Sequence, residues 1–268
     1  MLKDITLGQY FPGDTIIHRL DPRTKLIWVV IFIAALFTAR DYVSYALMIA
    51  VTVGLVAVSG VRPRNLLRGM KPLIFIICFT GILNLFYTRG GTTLFEWWIF
   101  TVTTAGIKRA VLMVIRIMML ICGTLLLTYT TSPMALTDGF EILFGPLKKI
   151  RVPIHEMSMM MSMALRFIPT LIEETDKIMS AQRARGADFD TGRLLERAKA
   201  MLPLLVPLFV SAFRRADELA VAMESRCYYG GEGRTRMKQL RLVRRDYLAL
   251  LAGAVLLAAV ITLNVFGL

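Results

Sequence analysis

Two arginines stand at the ends of long helical patterns, Arg185 within Ala184-Arg185-Gly186 and Arg226 within Ser225-Arg226-Cys227. A guanidinium offers a planar fork of five donors that engages a carboxylate through two parallel hydrogen bonds, and it stays charged when water is excluded. The chemistry these residues suit is a charged docking contact able to transmit force. Arginine near a helix C-terminus is also favoured by the helix dipole, so a plain cap is the simpler reading of each. Gly186 is placed to take the left-handed conformation that ends a helix.

No other set of side chains converges on catalysis. His18 and His155 are far apart, Cys78 and Cys122 sit inside apolar runs, and Cys227 lies in a polar segment. There is no Cys-x-x-Cys pair, so neither a disulfide framework nor a metal centre is indicated. Gly230, Gly231 and Gly233 follow a helix and lack a Gly-Lys-Ser/Thr ending, which makes them a turn and not a phosphate loop.

The elements that must position the arginines belong to a membrane protein. Of the 268 residues, 56% are hydrophobic, against about 45 to 50% in soluble domains, and the mean hydropathy is +0.61. The net charge of +13 is carried by residues that flank apolar runs. This is the distribution of membrane-flanking loops with an excess of Lys and Arg, not of a nucleic-acid-binding patch. The polar start of the chain does not resemble a cleaved signal peptide.

The pattern predicts an all-α integral membrane protein with about five transmembrane helices plus a cytoplasmic or interfacial unit of long coupling helices. Residues 1–130 form a membrane part with spans at about 26–39, 42–60, 72–88 and 110–129. Residues 131–245 form the coupling-helix unit, and 246–268 a final transmembrane helix. Asp21 serves as an N-cap with Pro22 at the first helical position. Arg23 and Lys25 then oppose the dipole of the first turn, so they either face headgroups or a partner or simply anchor the helix. Residues 62–71 read as a basic loop. Residues 92–104, with Trp97, Trp98 and Phe100, read as an interfacial or re-entrant piece.

Arg116 lies inside the fourth span, seven residues after Arg109 and on the same face; it either faces protein or water or snorkels outward. The five apolar runs, the last of them Tyr247–Phe266, contain no Asp or Glu, which argues against an ion-coupled carrier. Basic clusters at 19–25, 62–71 and 234–245 place the N-terminus and the 131–245 unit in the cytoplasm and the C-terminus outside.

Within that unit, residues 153–185 read as one long helix or a kinked pair around Pro169. A methionine cluster of Met157, Met159, Met160, Met161 and Met163 makes either a repacking surface or ordinary filler. Glu173 and Lys177 form an i, i+4 pair. Residues 193–225 repeat the plan, with Pro203 and Pro207 inside.

The two arginine tripeptides, the His18–Lys25 segment, Leu165-Arg166-Phe167-Ile168-Pro169 and Gly230-Gly231-Glu232-Gly233-Arg234-Thr235 occur in an order that resembles the transmembrane T component of energy-coupling-factor transporters over nearly the whole chain. The resemblance implies a non-catalytic scaffold in the cell membrane of a prokaryote. Two cytoplasmic ATP-binding-cassette ATPases would be linked to a small substrate-binding membrane (S) subunit for uptake of vitamins or other micronutrients. It implies ATPase docking through Ala184, Arg185, Gly186, Ser225, Arg226 and Cys227. It also implies no cofactor in this chain, with ATP and Mg bound by the partner ATPases. Arg116, Arg166, Pro169, Met159, Met160 and Met163 are candidate structural or interface residues, and the other partner is the lipid bilayer, with no nucleic acid. The second tripeptide departs from the family pattern, with Ser225 at the alanine place and Cys227 at the glycine or serine place. A secondary transporter or channel is the alternative, and a membrane enzyme would need a convergent catalytic set.

Overall fold

Asp21 starts the first helix as its sequence predicts. Its carboxylate accepts from the Arg23 N–H at 2.9 Å, Pro22 fills the first position, and α1 runs Pro22–Thr38. The computed structural model describes residues 10–88, 90, 92–97, 100–187, 189, 194–230 and 239–266. Trp98, Arg89, Gly91 and Gly231–Thr235 lie outside the described residues. The chain forms two compact units, one of Gly8–Gly139 with Leu240–Leu268 and one built on Phe140–Gln239.

In the first unit α1 is followed by α2 (Tyr42–Ser59), which stops at Gly60 with φ of 67°. Next come α3 (Pro63–Met70), a 3₁₀ helix at Lys71–Leu73 and α4 (Ile74–Tyr87). The segment predicted as a basic loop is therefore helical. Pro63 takes the first helical position, where its missing N–H costs nothing, and Leu66 and Met70, four apart, bury one face. Two strands, β1 (Thr93–Trp97) and β2 (Phe100–Thr103), then pair antiparallel, so the piece between spans is a hairpin. The Thr103 hydroxyl accepts from the Gly106 N–H at 3.0 Å and opens α5 (Thr104–Thr130). That is six residues earlier than the apolar run suggested, because the cap and not hydropathy sets the start.

The final helix of this unit, α9, covers Arg244–Phe266. Among the described residues four segments are long and apolar enough to cross a bilayer: Tyr42–Ser59, Pro63–Tyr87, Thr104–Thr130 and Arg244–Phe266. α1, with 17 residues, sits at the short end of the roughly 17 to 25 that a crossing takes.

The core of this unit joins α1, α2, α5 and α9 through Phe32, Ala35, Leu36, Met48, Met119, Leu256 and Val260. Small residues allow the close approach: a Cβ at Gly123 would stand 2.8 Å from the Phe32 ring, and one at Gly253 3.2 Å from Trp28. Arg116 turns into the protein, with Nη2 donating to the Ala39 carbonyl at 2.7 Å and the guanidinium over the rings of Tyr45 and Phe37 at 5.5 and 6.0 Å. Of the two readings of this arginine, the protein-facing one is found.

Arg23 and Lys25 are also turned inward, and not toward headgroups, the first of the readings offered for them. Lys25 Nζ donates to the carbonyls of Thr130 (2.8 Å) and His18 (3.2 Å) and to the Thr131 hydroxyl (3.2 Å). The Thr130 carbonyl is one that α5 leaves unpaired where it ends, so the ammonium finds three oxygen acceptors inside the protein. Arg23 Nη2 donates to the Leu240 carbonyl at 2.6 Å. Asp246, 3% exposed, accepts the Asp21 N–H on Oδ1 at 2.9 Å and the Val243 N–H on Oδ2 at 2.8 Å. It thus closes the first turn of α9 and the entry to α1 together. At the other end of the same pair, the Asn264 amide donates to the Thr38 carbonyl and Ser44 donates to its oxygen. Joined start to start and end to end, α1 and α9 run parallel.

The second unit begins with the last residues of α6 (Pro133–Leu143), continues through a 3₁₀ helix at Gly145–Ile150, and consists mainly of α7 (Ile154–Ala184) and α8 (Leu194–Glu224). Both read as single helices of 31 residues, so the stretch at 153–185 is one helix and not a pair.

Asp246→Asn removes one of two charged acceptors and turns an N–H toward a backbone N–H. It is expected to lower stability by about 1 to 3 kcal/mol, read as the midpoint of thermal unfolding of the detergent-solubilised chain. An unchanged midpoint contradicts the role given to this carboxylate.

Candidate functional site

The ends of α7 and α8 are built alike. At the first, the Gly186 N–H donates to the Arg183 carbonyl and the Ala187 N–H to the Gln182 carbonyl, each at 3.0 Å, with Gly186 at φ of 88°. At the second, the Cys227 N–H donates to the Glu224 carbonyl at 2.9 Å and the Tyr228 N–H to the Met223 carbonyl at 3.1 Å, with Cys227 at φ of 56°. This pair of bonds, six-to-one and five-to-two around a left-handed residue, is the Schellman closure. Superposing the two patterns puts Arg185 on Arg226, Ala184 on Ser225 and Gly186 on Cys227. The cysteine that departs from the family pattern therefore adopts the conformation that glycine holds at the first tip, although side chains rarely do so.

Ala184, Arg185, Gly186, Ser225, Arg226 and Cys227 are all exposed. Among the described residues neither guanidinium has a hydrogen bond or ion pair. Each arginine sits one residue before the chain reverses, where its helix presents unpaired carbonyls and the negative end of its dipole. The dipole holds the cation locally while leaving all five donors for another molecule.

α7 and α8 are clamped together upstream. Glu174 accepts from Arg215 Nη2 at 2.9 Å and from the Ser211 hydroxyl. The Ser211 hydrogen bond and then the Arg215 pair hold the Glu174 carboxyl below its ordinary value. Glu174 precedes Arg185 by 11 residues, and Arg215 precedes Arg226 by 11, about 16 Å along each helix. The prolines Pro169, Pro203 and Pro207 all lie on the N-terminal side of the clamp. Each removes one backbone hydrogen bond from its helix. Both segments from clamp to arginine keep an unbroken backbone ladder.

The remaining candidates fall elsewhere on this unit. Met160 is 58% exposed, Met159 and Met163 are half-buried, and Arg166 and Pro169 are exposed on α7. On α8, Met201, Leu202, Leu205, Val206, Phe209, Val210 and Phe213 are exposed. No residue of α7 is fully buried, and among the described residues of this unit Phe189 and Leu204 are the buried hydrophobics. The clamp escaped the sequence reading, which paired Glu173 with Lys177; the signal was a Glu and an Arg at equal distance from the two tips. Among the described residues no group of three or more His, Cys, Asp or Glu is placed to hold a metal ion.

Residues 13–237 match the CbiQ family, described as cobalt transport protein. The chain is 53% identical over 248 residues, 92% of each chain, to the energy-coupling factor transporter transmembrane protein EcfT of Ruminiclostridium cellulolyticum. The chain belongs to the transmembrane-component family of energy-coupling-factor transporters. Proteins of the same description from Thermosediminibacter oceani (52% identical; 95% of this chain, 96% of that one) and Bacillus subtilis strain 168 (48%; 97% and 98%) are similar over nearly their full length. The resemblance read from the tripeptides and their order is thereby established at family level.

Two outcomes test this site. Cys227→Gly is expected to raise stability by about 0.5 to 1 kcal/mol and Cys227→Val to lower it by about 1 to 2, since a β-branched residue tolerates a positive φ worst; thermal unfolding reads both, and a stabilising Val contradicts the left-handed assignment. For Glu174, whose folded-state value is depressed, the stabilisation is complete above the ordinary glutamate range and disappears as pH falls through the lower folded value. The gap in unfolding midpoint between the native chain and Glu174→Gln should accordingly close on acidification.

Proposed function

We propose that this chain is the scaffold and energy-coupling subunit of an energy-coupling-factor importer. It would transmit ATP-driven movements of two cytoplasmic ATPases to a small substrate-binding membrane subunit, for uptake of vitamins or other micronutrients. The observation that carries this reading is the matched pair of arginine tips, Arg185 and Arg226. Each is free of partners among the described residues and stands at the end of a proline-free helical segment fixed at the Glu174–Arg215 clamp. A guanidinium in that position can take a carboxylate on the ATPase bidentately and remain charged once the interface excludes water.

Ala184 and Ser225 flank the arginines as small residues that let a partner approach, and Gly186 and Cys227 turn the chain away. ATP and Mg belong to the ATPases in this scheme, and the chain itself catalyses nothing. The exposed apolar rows on α7 and α8 supply surface for a hydrophobic membrane partner. In the topology proposed here the N-terminus and the α7–α8 unit are cytoplasmic and the C-terminus outside. The parallel arrangement of α1 and α9 supports opposite sides for the two ends of the membrane unit.

Arg185→Ala combined with Arg226→Ala is expected to leave the chain inserted in the membrane but to separate it from its ATPases during detergent purification. Truncating one side of a buried charge pair costs about 2 to 5 kcal/mol. Co-purification of both ATPases in active complexes with the double variant would overturn the docking assignment. A pull-down of the native chain that returned only copies of itself would favour a channel.

A further inference from the structure

The core shared by α1, α2, α5 and α9 leaves a large gap beside it. A cavity of about 410 Å³ lies among these four helices, and every residue that lines it belongs to the first unit. Its walls are apolar and run from Val58 to Val51 on α2, from Thr130 to Gly123 on α5 and from Ala249 to Leu256 on α9, seven residues each time and so about 10 Å deep. Lys25 and Thr130 stand at one end, already paired. The Lys25 ammonium donates to the carbonyls of Thr130 and His18 and to the Thr131 hydroxyl, and the Thr130 hydroxyl donates to the Leu126 carbonyl. At the other end Phe32 packs on Gly123. Gly54 sits in the helical interior of α2, where a Cβ would meet nothing within 4 Å. Glycine weakens a helix, and here neither a left-handed turn nor a close neighbour calls for it. What its missing side chain leaves is room in the cavity wall. Gly54 and Ala252 are both exposed, so the cavity opens sideways between α2 and α9, part-way along two segments long and apolar enough to cross a bilayer.

We propose that this cavity holds one acyl chain of a membrane phospholipid, which enters between α2 and α9. The walls of an empty apolar cavity forfeit dispersion contacts in proportion to its volume. Water is a poor filler, because an ordered molecule needs about two to four polar partners and the polar groups at the Lys25 end are taken. An opening part-way along a span meets hydrocarbon, whose chains lie alongside the helices. Depth decides between such a chain and a partner helix. A crossing helix follows about 30 Å of hydrocarbon, whereas this seat begins near the ends of α2 and α5 and stops at Phe32 after about 10 Å, within one leaflet. A single chain of that leaflet matches the length. With all three ammonium protons of Lys25 engaged, the seat recognises the hydrocarbon and not the charge of the headgroup.

Trp28 lines the cavity and reports on its contents. The full chain, carrying Trp97→Phe and Trp98→Phe so that Trp28 is the remaining one of three tryptophans, is reconstituted into bilayers of phosphatidylcholine with or without bromine on the acyl chains. Bromine quenches an indole that it touches, so a chain seated in the cavity is expected to quench Trp28 strongly. Gly54→Leu fills the seat from α2, and Ala252→Leu fills it independently from α9. Each is expected to abolish most of the quenching while circular dichroism shows the helical content retained, and either one suffices if the other does not fold. Phosphatidylglycerol with the same brominated chains should quench as much as phosphatidylcholine. An unquenched Trp28 in the otherwise native chain would overturn the proposal and leave the cavity to a protein partner. Quenching unchanged by both fillings would also overturn it, because the indole would then be meeting lipid outside the cavity. Quenching confined to phosphatidylglycerol would replace the chain seat with a headgroup site.

Discussion

Both oxygens of one buried carboxylate, Asp246, hold backbone N–H groups from opposite ends of the sequence. At the edge of a bilayer an unpaired N–H or a lone buried charge is costly, and this arrangement removes several such costs at one place. The first turn of α9 is closed, the entry to α1 is fixed, and Lys25 beside it satisfies the carbonyl of Thr130, where α5 finishes. Three helices that are remote in sequence thereby start or stop at one level. The apolar packing of Phe32, Leu36, Met48 and Val260 above it is only possible once that level is set. The tight fits at Gly123 and Gly253 have the same dependence, because a slip of one residue would drive a side chain into an aromatic ring.

The second unit follows another principle. α7 buries none of its residues fully, α8 leaves a long apolar row open, and Glu174, Ser211 and Arg215 hold the two helices together. A polar clamp fixes a point of contact without fixing a whole surface, whereas a close-packed core resists rearrangement. The chain thus combines one unit whose described helices interlock with a pair of helices whose outer apolar surface is open.

The features legible in the sequence are those decided locally. Asp21 and Pro22 mark a helix start by themselves, Gly186 marks a helix end, and apolar runs of about 20 residues mark most spans. The order of the short motifs also sufficed to reach the family. What escaped was decided by partners far along the chain. The 62–71 segment looks like a loop until Leu66 and Met70 have a surface to cover, and Lys25 looks like an anchor until the end of α5 arrives beside it. Asp246 was simply the polar residue before a span. At the candidate site, the arginines could be named from their neighbours, but the equivalence of the two tips rests on Cys227 adopting a backbone conformation that its residue type disfavours. The match between Glu174 and Arg215 needed the helices to be paired first.

Equal spacing from clamp to tip has a mechanical meaning. With 11 residues on each side and no proline beyond the clamp, α7 and α8 act there as two stiff levers of the same length sharing a fulcrum. A tilt of about 10° at that fulcrum moves each guanidinium by about 3 Å, close to the length of a hydrogen bond. Motion at one tip is returned at the fulcrum without being absorbed by bending. The weaker, proline-bearing halves of the same helices are then the places where such a displacement is taken up.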